Sequence, residues 1–81
     1  MNATTEQINQ HIADSFGVEV SEIQLDYDLR QDFNASELEL ADLISLLEFE
    51  FTIEISSEEA RGLVTVADLH ELILDKLNEV S

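Results

Sequence analysis

The chain contains no proline, and its only glycines are Gly17 and Gly62. A backbone with so few breakers, and with no sustained apolar–polar alternation, reads as all-α. Helix-opening signatures then divide it. Thr4-x-x-Gln7, Ser36-x-x-Glu39 and Ser56-x-x-Glu59 have the form of capping boxes, in which a hydroxyl and a carboxylate or amide satisfy backbone N–H groups that have no partner inside the helix. Thr65-x-x-Asp68 opens a fourth segment in the same manner.

Apolar spacing fills in the segments. Ile8, Ile12 and Phe16 recur every four residues, predicting a first helix from about Thr4 that Gly17 ends in the left-handed conformation. Residues 18–35 form a long connection carrying Val18, Val20, Ile23, Leu25, Tyr27, Leu29 and Phe33. A loop so rich in apolar residues is expected to pack on the helices, with Leu29 and Phe33 anchoring its end and Tyr27 as a further anchor. The second helix is predicted from Glu37 to Phe51 with Ser36 as N-cap. Leu40, Leu43, Ile44, Leu47 and Phe51 share its core face, with Leu46 beside it. The opposite face carries Leu38, Ala41, Ser45 and Phe49, flanked by Asp42 and Glu48. A short third helix should stop at Gly62. The fourth has the stripe Val66, Leu69, Leu72, Ile73 and Leu77. The expected architecture is a four-helix bundle in one domain over residues 1–81, with three longer helices, one short one and a long first loop.

Nineteen acidic residues face three basic ones, a formal net charge of −16. That balance excludes nucleic-acid binding by charge, because a phosphate backbone needs a cationic partner, and it disfavours an anionic membrane surface. The hydrophobic content of 44% is too high for a disordered acidic tail. With no Cys there is neither a disulfide nor a protein thiol. No signal-peptide pattern or run of some twenty apolar residues is present, so a cytoplasmic monomer is the default expectation. His11 and His70 lack ligand spacing for zinc, and Asp26-x-Asp28 fails as a calcium loop because Arg30 and Gln31 follow where oxygen ligands and Gly are needed. No nucleophile–base pair, phosphate loop or paired catalytic carboxylate stands out, so no enzyme is expected.

The run Asp32-Phe33-Asn34-Ala35-Ser36-Glu37-Leu38-Glu39, the helix end Glu48-Phe49-Glu50-Phe51, the extended Glu54-Ile55, the acidic Ser57-Glu58-Glu59-Ala60 and Thr65-Val66-Ala67-Asp68-Leu69 together resemble the acyl carrier protein family. The likeness runs without a gap from Gly17 to Ile73. In that family the second helix opens with Asp-Ser-Leu, and the Ser carries 4′-phosphopantetheine. The resemblance places Glu37 at that Ser and Ser36 at the preceding Asp. It also places Asn34 where a Gly is usual, and Glu39, Asp42 and Glu48 at acidic positions that meet basic patches on partner enzymes.

Glu37 has no hydroxyl to take the arm, so no cofactor is expected there. 4′-Phosphopantetheine is expected only if Ser36, one residue early, were modified, and a capping Ser is already engaged with the backbone. Glu37 itself has two readings: a good helix starter, or a retained negative charge near where the carrier phosphate would sit. The function implied is an acidic module in fatty-acid or polyketide-type acyl metabolism. It would bind a basic partner surface through Glu37, Leu38, Glu39, Ala41, Asp42, Ser45 and Glu48. The alternatives are a working carrier modified at Ser36, and an acidic decoy for a cationic partner. Phe49 is expected to be covered by the first loop or the third helix rather than to belong to this face.

Overall fold

Caps and turn residues set the helix limits, and apolar stripes bring the helices together. The computed structural model describes residues 3–80. Within them α1 spans Ala3–Phe16, α2 Glu37–Phe51, α3 Ser57–Arg61 and α4 Val66–Val80. Among the described residues no helix is long and apolar enough to cross a membrane.

α1 begins at Ala3, within one residue of the expected start near Thr4. Thr4 lies in the first turn of the helix rather than ahead of it, so it is not the N-cap. The helix end is as expected. Gly17 has φ 69°, and the N–H groups of Gly17 and Val18 both donate to the Ala13 carbonyl, at 2.9 and 3.2 Å. That pairing satisfies a helix-terminal carbonyl as the left-handed residue turns the chain away.

The long connection is bonded to the far end of the molecule. Leu29 N–H donates to the Val64 carbonyl at 2.8 Å, Val66 N–H to Tyr27 at 3.0 Å, and Ala67 N–H to Leu25 at 2.9 Å. These bonds tie residues 25–29 to the entry of α4 and satisfy backbone groups that a packed loop would otherwise bury without partners. Leu29 is fully buried. Phe33 packs on Phe16 of α1, ring centres 5.2 Å apart, and meets Tyr27 edge-on at 5.7 Å. Leu29, Phe33 and Tyr27 therefore anchor the loop, whereas Val20, in a single 3₁₀ turn over Val20–Glu22, and Leu25 stay exposed. Asn34 adopts φ 53° just before α2, and its short amide tolerates the conformation that Gly would otherwise supply.

α2 and α3 both begin with complete capping boxes. Ser36 Oγ accepts from Glu39 N–H at 3.1 Å while Glu39 Oε1 accepts from Ser36 N–H at 2.8 Å. Ser56 and Glu59 repeat the exchange. Thr52, at φ 54°, ends α2 in the left-handed region, while Gly62 ends α3 without using it. Asp68 Oδ2 accepts from the N–H groups of Val64 and Thr65, and Thr65 Oγ1 accepts from Asp68 N–H. Ile8 and Ile12 of α1, Leu40, Leu43, Ile44 and Leu47 of α2, Val66, Leu69 and Ile73 of α4, and Leu29 from the loop make one core.

Among the described residues one polar side chain is buried beside it. His70 of α4 is buried, and its Nε2 lies 2.8 Å from Asn9 Oδ1 on α1. Burial penalises the imidazolium and lowers the His70 pKa. The unfolded chain then binds a proton at His70 more readily than the folded one, so stability is retained above the unfolded pKa of about 6.5 and is lost as pH falls through the lowered folded value. Asp28, Asp68 and Glu59 are shifted the other way. Their pKa values are lowered by N–H groups of Gln31 and Arg30, by those of Thr65 and Val64, and by Lys76 together with Ser56, respectively. Their losses begin only below a pH of about 4–4.5, the ordinary carboxylate range. Thermal melts between pH 7 and 5.5 should show a decline in Tm that is shallower in His70→Gln. Parallel declines in the two proteins would show that His70 is not its source.

Candidate interaction face on the second helix

The capping box that starts α2 also aims its first turn. Ser36 is held as N-cap, so Glu37 is the first helical residue and its carboxylate points back along the loop. There it meets Arg30, whose Nε donates to Glu37 Oε2 at 2.6 Å. The same guanidinium donates through Nη1 to the Leu63 carbonyl at 2.8 Å. Arg30 thus joins three parts of the molecule: the end of the first loop, the start of α2 and the segment after α3. Beneath it lies a small cleft of about 110 Å³ lined by Leu40, Ala41, Ile44 and Ala60 with Arg30, Glu37 and Arg61 at the edge. Arg30 is one of three basic residues in the chain. From sequence alone Arg30 has no role beyond excluding a calcium loop at Asp26-x-Asp28. Its separation of seven residues from Glu37 crosses a turn, so no helical spacing rule points to the pair.

The outer face of α2 is open. Leu38 is 72% exposed and Phe49 87% exposed. The expectation that Phe49 would be covered is therefore overturned. The first loop folds onto α4 rather than across α2, and α3 is only five residues long, so neither reaches the ring. Leu46, placed beside the core by periodicity, is 49% exposed and borders the same face. Ala41, Asp42 and Ser45 are exposed between the two large side chains. Leu38 and Phe49 are eleven residues apart, about 16 Å along the axis at 1.5 Å per residue.

The acidic residues around this face divide by duty. Glu39 is committed to the N-cap, and Glu37 to Arg30. Glu48 Oε2 accepts from Ile55 N–H at 2.8 Å, which pins the segment following α2. Glu50 lies near His11 of α1, at 3.3 Å from Nε2. Asp42 is exposed in the middle of the face. The capping role of Glu39 is legible in its spacing from Ser36, whereas the bonds of Glu37 to Arg30 and of Glu48 to Ile55 N–H depend on the fold.

The fold has counterparts among known proteins. No protein-family model matches the chain. It is 42% identical over 60 residues to acyl carrier protein 2 of Pseudomonas aeruginosa, a match covering 74% of this chain and 76% of that protein. The chain belongs to the acyl carrier protein family. Its fold agrees with the acyl carrier protein of Thermotoga maritima, TM-score 0.81 at 20% identity, over 94% of this chain and 88% of that one. It also agrees with the apo doublet acyl carrier protein from prodigiosin biosynthesis, TM-score 0.67 at 24% identity, over 94% of this chain and 38% of that longer one. Acyl carrier proteins are carriers rather than enzymes, and they normally bear 4′-phosphopantetheine on a Ser. In this member Ser36 is the N-cap of α2 and Glu37 is its first helical residue.

Proposed function

We propose that this acyl carrier protein family member works without a phosphopantetheine arm, as an acidic module that docks on a basic surface of an enzyme of acyl metabolism. The observation that carries the reading is the exposure of Leu38 and Phe49 on the outer face of α2, with Asp42 between them. An apolar centre bordered by acids suits a partner that offers apolar surface ringed by Arg and Lys. The residues at the start of α2 do not fit the arm. Glu37 has a carboxylate where attachment requires a hydroxyl, and that carboxylate is paired with Arg30. Ser36 Oγ has a hydroxyl but accepts from Glu39 N–H as the helix cap. Docking at Asp42 and Leu38 needs neither group.

A broad-specificity phosphopantetheinyl transferase supplies a test, with coenzyme A and a serine-bearing carrier protein as its ordinary substrates. Intact mass should show no gain on this chain. The chain should nevertheless compete with loading of the serine-bearing carrier. Leu38→Ala or Asp42→Asn should weaken that competition about five- to thirtyfold, the range of a residue worth about 1–2 kcal/mol at an interface. A mass gain lost in Ser36→Ala would instead make the protein a carrier with an off-register site. Equal competition by all variants, abolished together by salt, would make it a decoy acting through bulk charge.

A further inference from the structure

A second, narrower feature lies where α2 ends. Thr52 turns left-handed, Ile53 N–H donates to the Glu48 carbonyl at 3.1 Å, and the chain folds back beside the last turn of the helix. Glu48, Phe49, Thr52, Ile53 and Glu54 then surround an open cleft of about 400 Å³. Phe49 contributes almost nothing to the protein's own core, since the residue is 87% exposed. A large aromatic left in water beside a formed cleft is informative in a way that a scattered surface Leu is not. The carboxylate of Glu48 is held in place by its bond from Ile55 N–H, and Glu54 is exposed on the other side. No basic residue lines the cleft. Arg30 is paired with Glu37 at the other end of α2, and Lys76 is paired with Glu59 in an adjoining cleft that Glu48 and Glu54 also line.

We propose that this cleft receives an arginine side chain from the partner protein. The proposal rests on the reading that the partner is basic and adds the group that is recognised and the place where it sits. A planar guanidinium stacks on the open face of a Phe ring while its N–H fork reaches carboxylates at the edge. The Phe49 ring with Glu48 and Glu54 offers that combination. A lysine ammonium is a compact, strongly hydrated charge that meets the carboxylates but gains less from the ring. An uncharged apolar side chain would cover the ring at the cost of desolvating the acids beside it.

The experiment is a titration of the ¹⁵N-labelled protein at low salt with N-acetyl-arginine amide, N-acetyl-lysine amide and N-acetyl-citrulline amide. Arginine amide should move the backbone resonances of Thr52, Ile53 and Glu54, with lysine amide about two- to fivefold weaker and the uncharged citrulline compound without effect. Phe49→Leu keeps an apolar side chain on an exposed position, so the fold is retained, and it should reduce arginine binding to the lysine level. Shifts of equal size for arginine and lysine, spread over the whole acidic surface, would overturn the proposal, as would unchanged arginine binding in Phe49→Leu. Leu38→Ala separates this site from the wider docking reading. It should weaken competition for the transferase while leaving the arginine titration unchanged. Loss of arginine selectivity with Leu38-dependent competition intact would remove the cleft proposal alone.

Discussion

Leu47→Ala is expected to lower the unfolding free energy by about 2–5 kcal/mol, whereas Phe49→Ala, two residues further along the same helix, should change it by no more than about 0.5 kcal/mol. The contrast follows from where α2 puts each side chain. Leu47 is fully buried among the residues that unite α1, α2, α4 and the first loop. Its truncation removes transfer energy and leaves a cavity that rigid neighbours fill only in part. Phe49 points away from that core and loses little on truncation. A domain of 81 residues has a total stability of about 4–12 kcal/mol at typical values per residue. One core Leu therefore accounts for a large share of it, and no disulfide is available to compensate. Urea titrations followed by far-UV circular dichroism measure both variants. A Phe49→Ala midpoint falling as far as that of Leu47→Ala would mean that the ring packs in solution and that the outer face of α2 is not free.

The same pair of residues marks what a reader of the sequence is able to see. Periodicity separated Leu47 from Phe49 and placed them on opposite faces of one helix, because a 100° step per residue is a property of the backbone alone. The capping boxes at Ser36 and Ser56 were legible for a similar reason: each is a local exchange within four residues. Gly17 was legible as a left-handed position because glycine adopts that conformation freely, whereas Asn34 was marked only as standing where the resemblance has a Gly, and the left-handed Thr52 carries no such signal. Whether Phe49 would be covered depended on where the first loop travels. That path is set by backbone bonds between residues 25–29 and 64–67, long-range partners that leave no pattern in the spacing. The start of α1 near Thr4 was legible, but not the role of Thr4, which lies inside the first turn rather than at the N-cap. The Arg30–Glu37 pair was invisible for the reason that applies to the loop: it joins groups across a turn, and only the fold brings them together.

That pair bears on the other large effect. Glu37→Ser is expected to convert the chain from one that gains no mass with coenzyme A and a broad-specificity transferase into one that gains a single phosphopantetheine. The substitution supplies the missing hydroxyl at the first residue of α2 and leaves Ser36 as N-cap, since the capping exchange with Glu39 does not involve Glu37. The new hydroxyl would form the phosphodiester, with adenosine 3′,5′-bisphosphate leaving. It also removes the carboxylate that occupies Arg30, so one guanidinium face is left open close to the attachment point and to the positive end of the helix dipole. An anion arriving there is favoured by both. The cost to the fold is small, because an exposed ion pair contributes only about 0–1 kcal/mol, and Arg30 keeps its bond to the Leu63 carbonyl. Glu37→Gln separates the two effects: it releases Arg30 without adding a hydroxyl and should gain no mass. If Glu37→Ser remained unmodified while a serine-bearing carrier protein was loaded under the same conditions, the obstacle would lie outside residue 37. Ser36→Asp combined with Glu37→Ser would then test the neighbouring position by building the Asp-Ser-Leu opening that the resemblance implies.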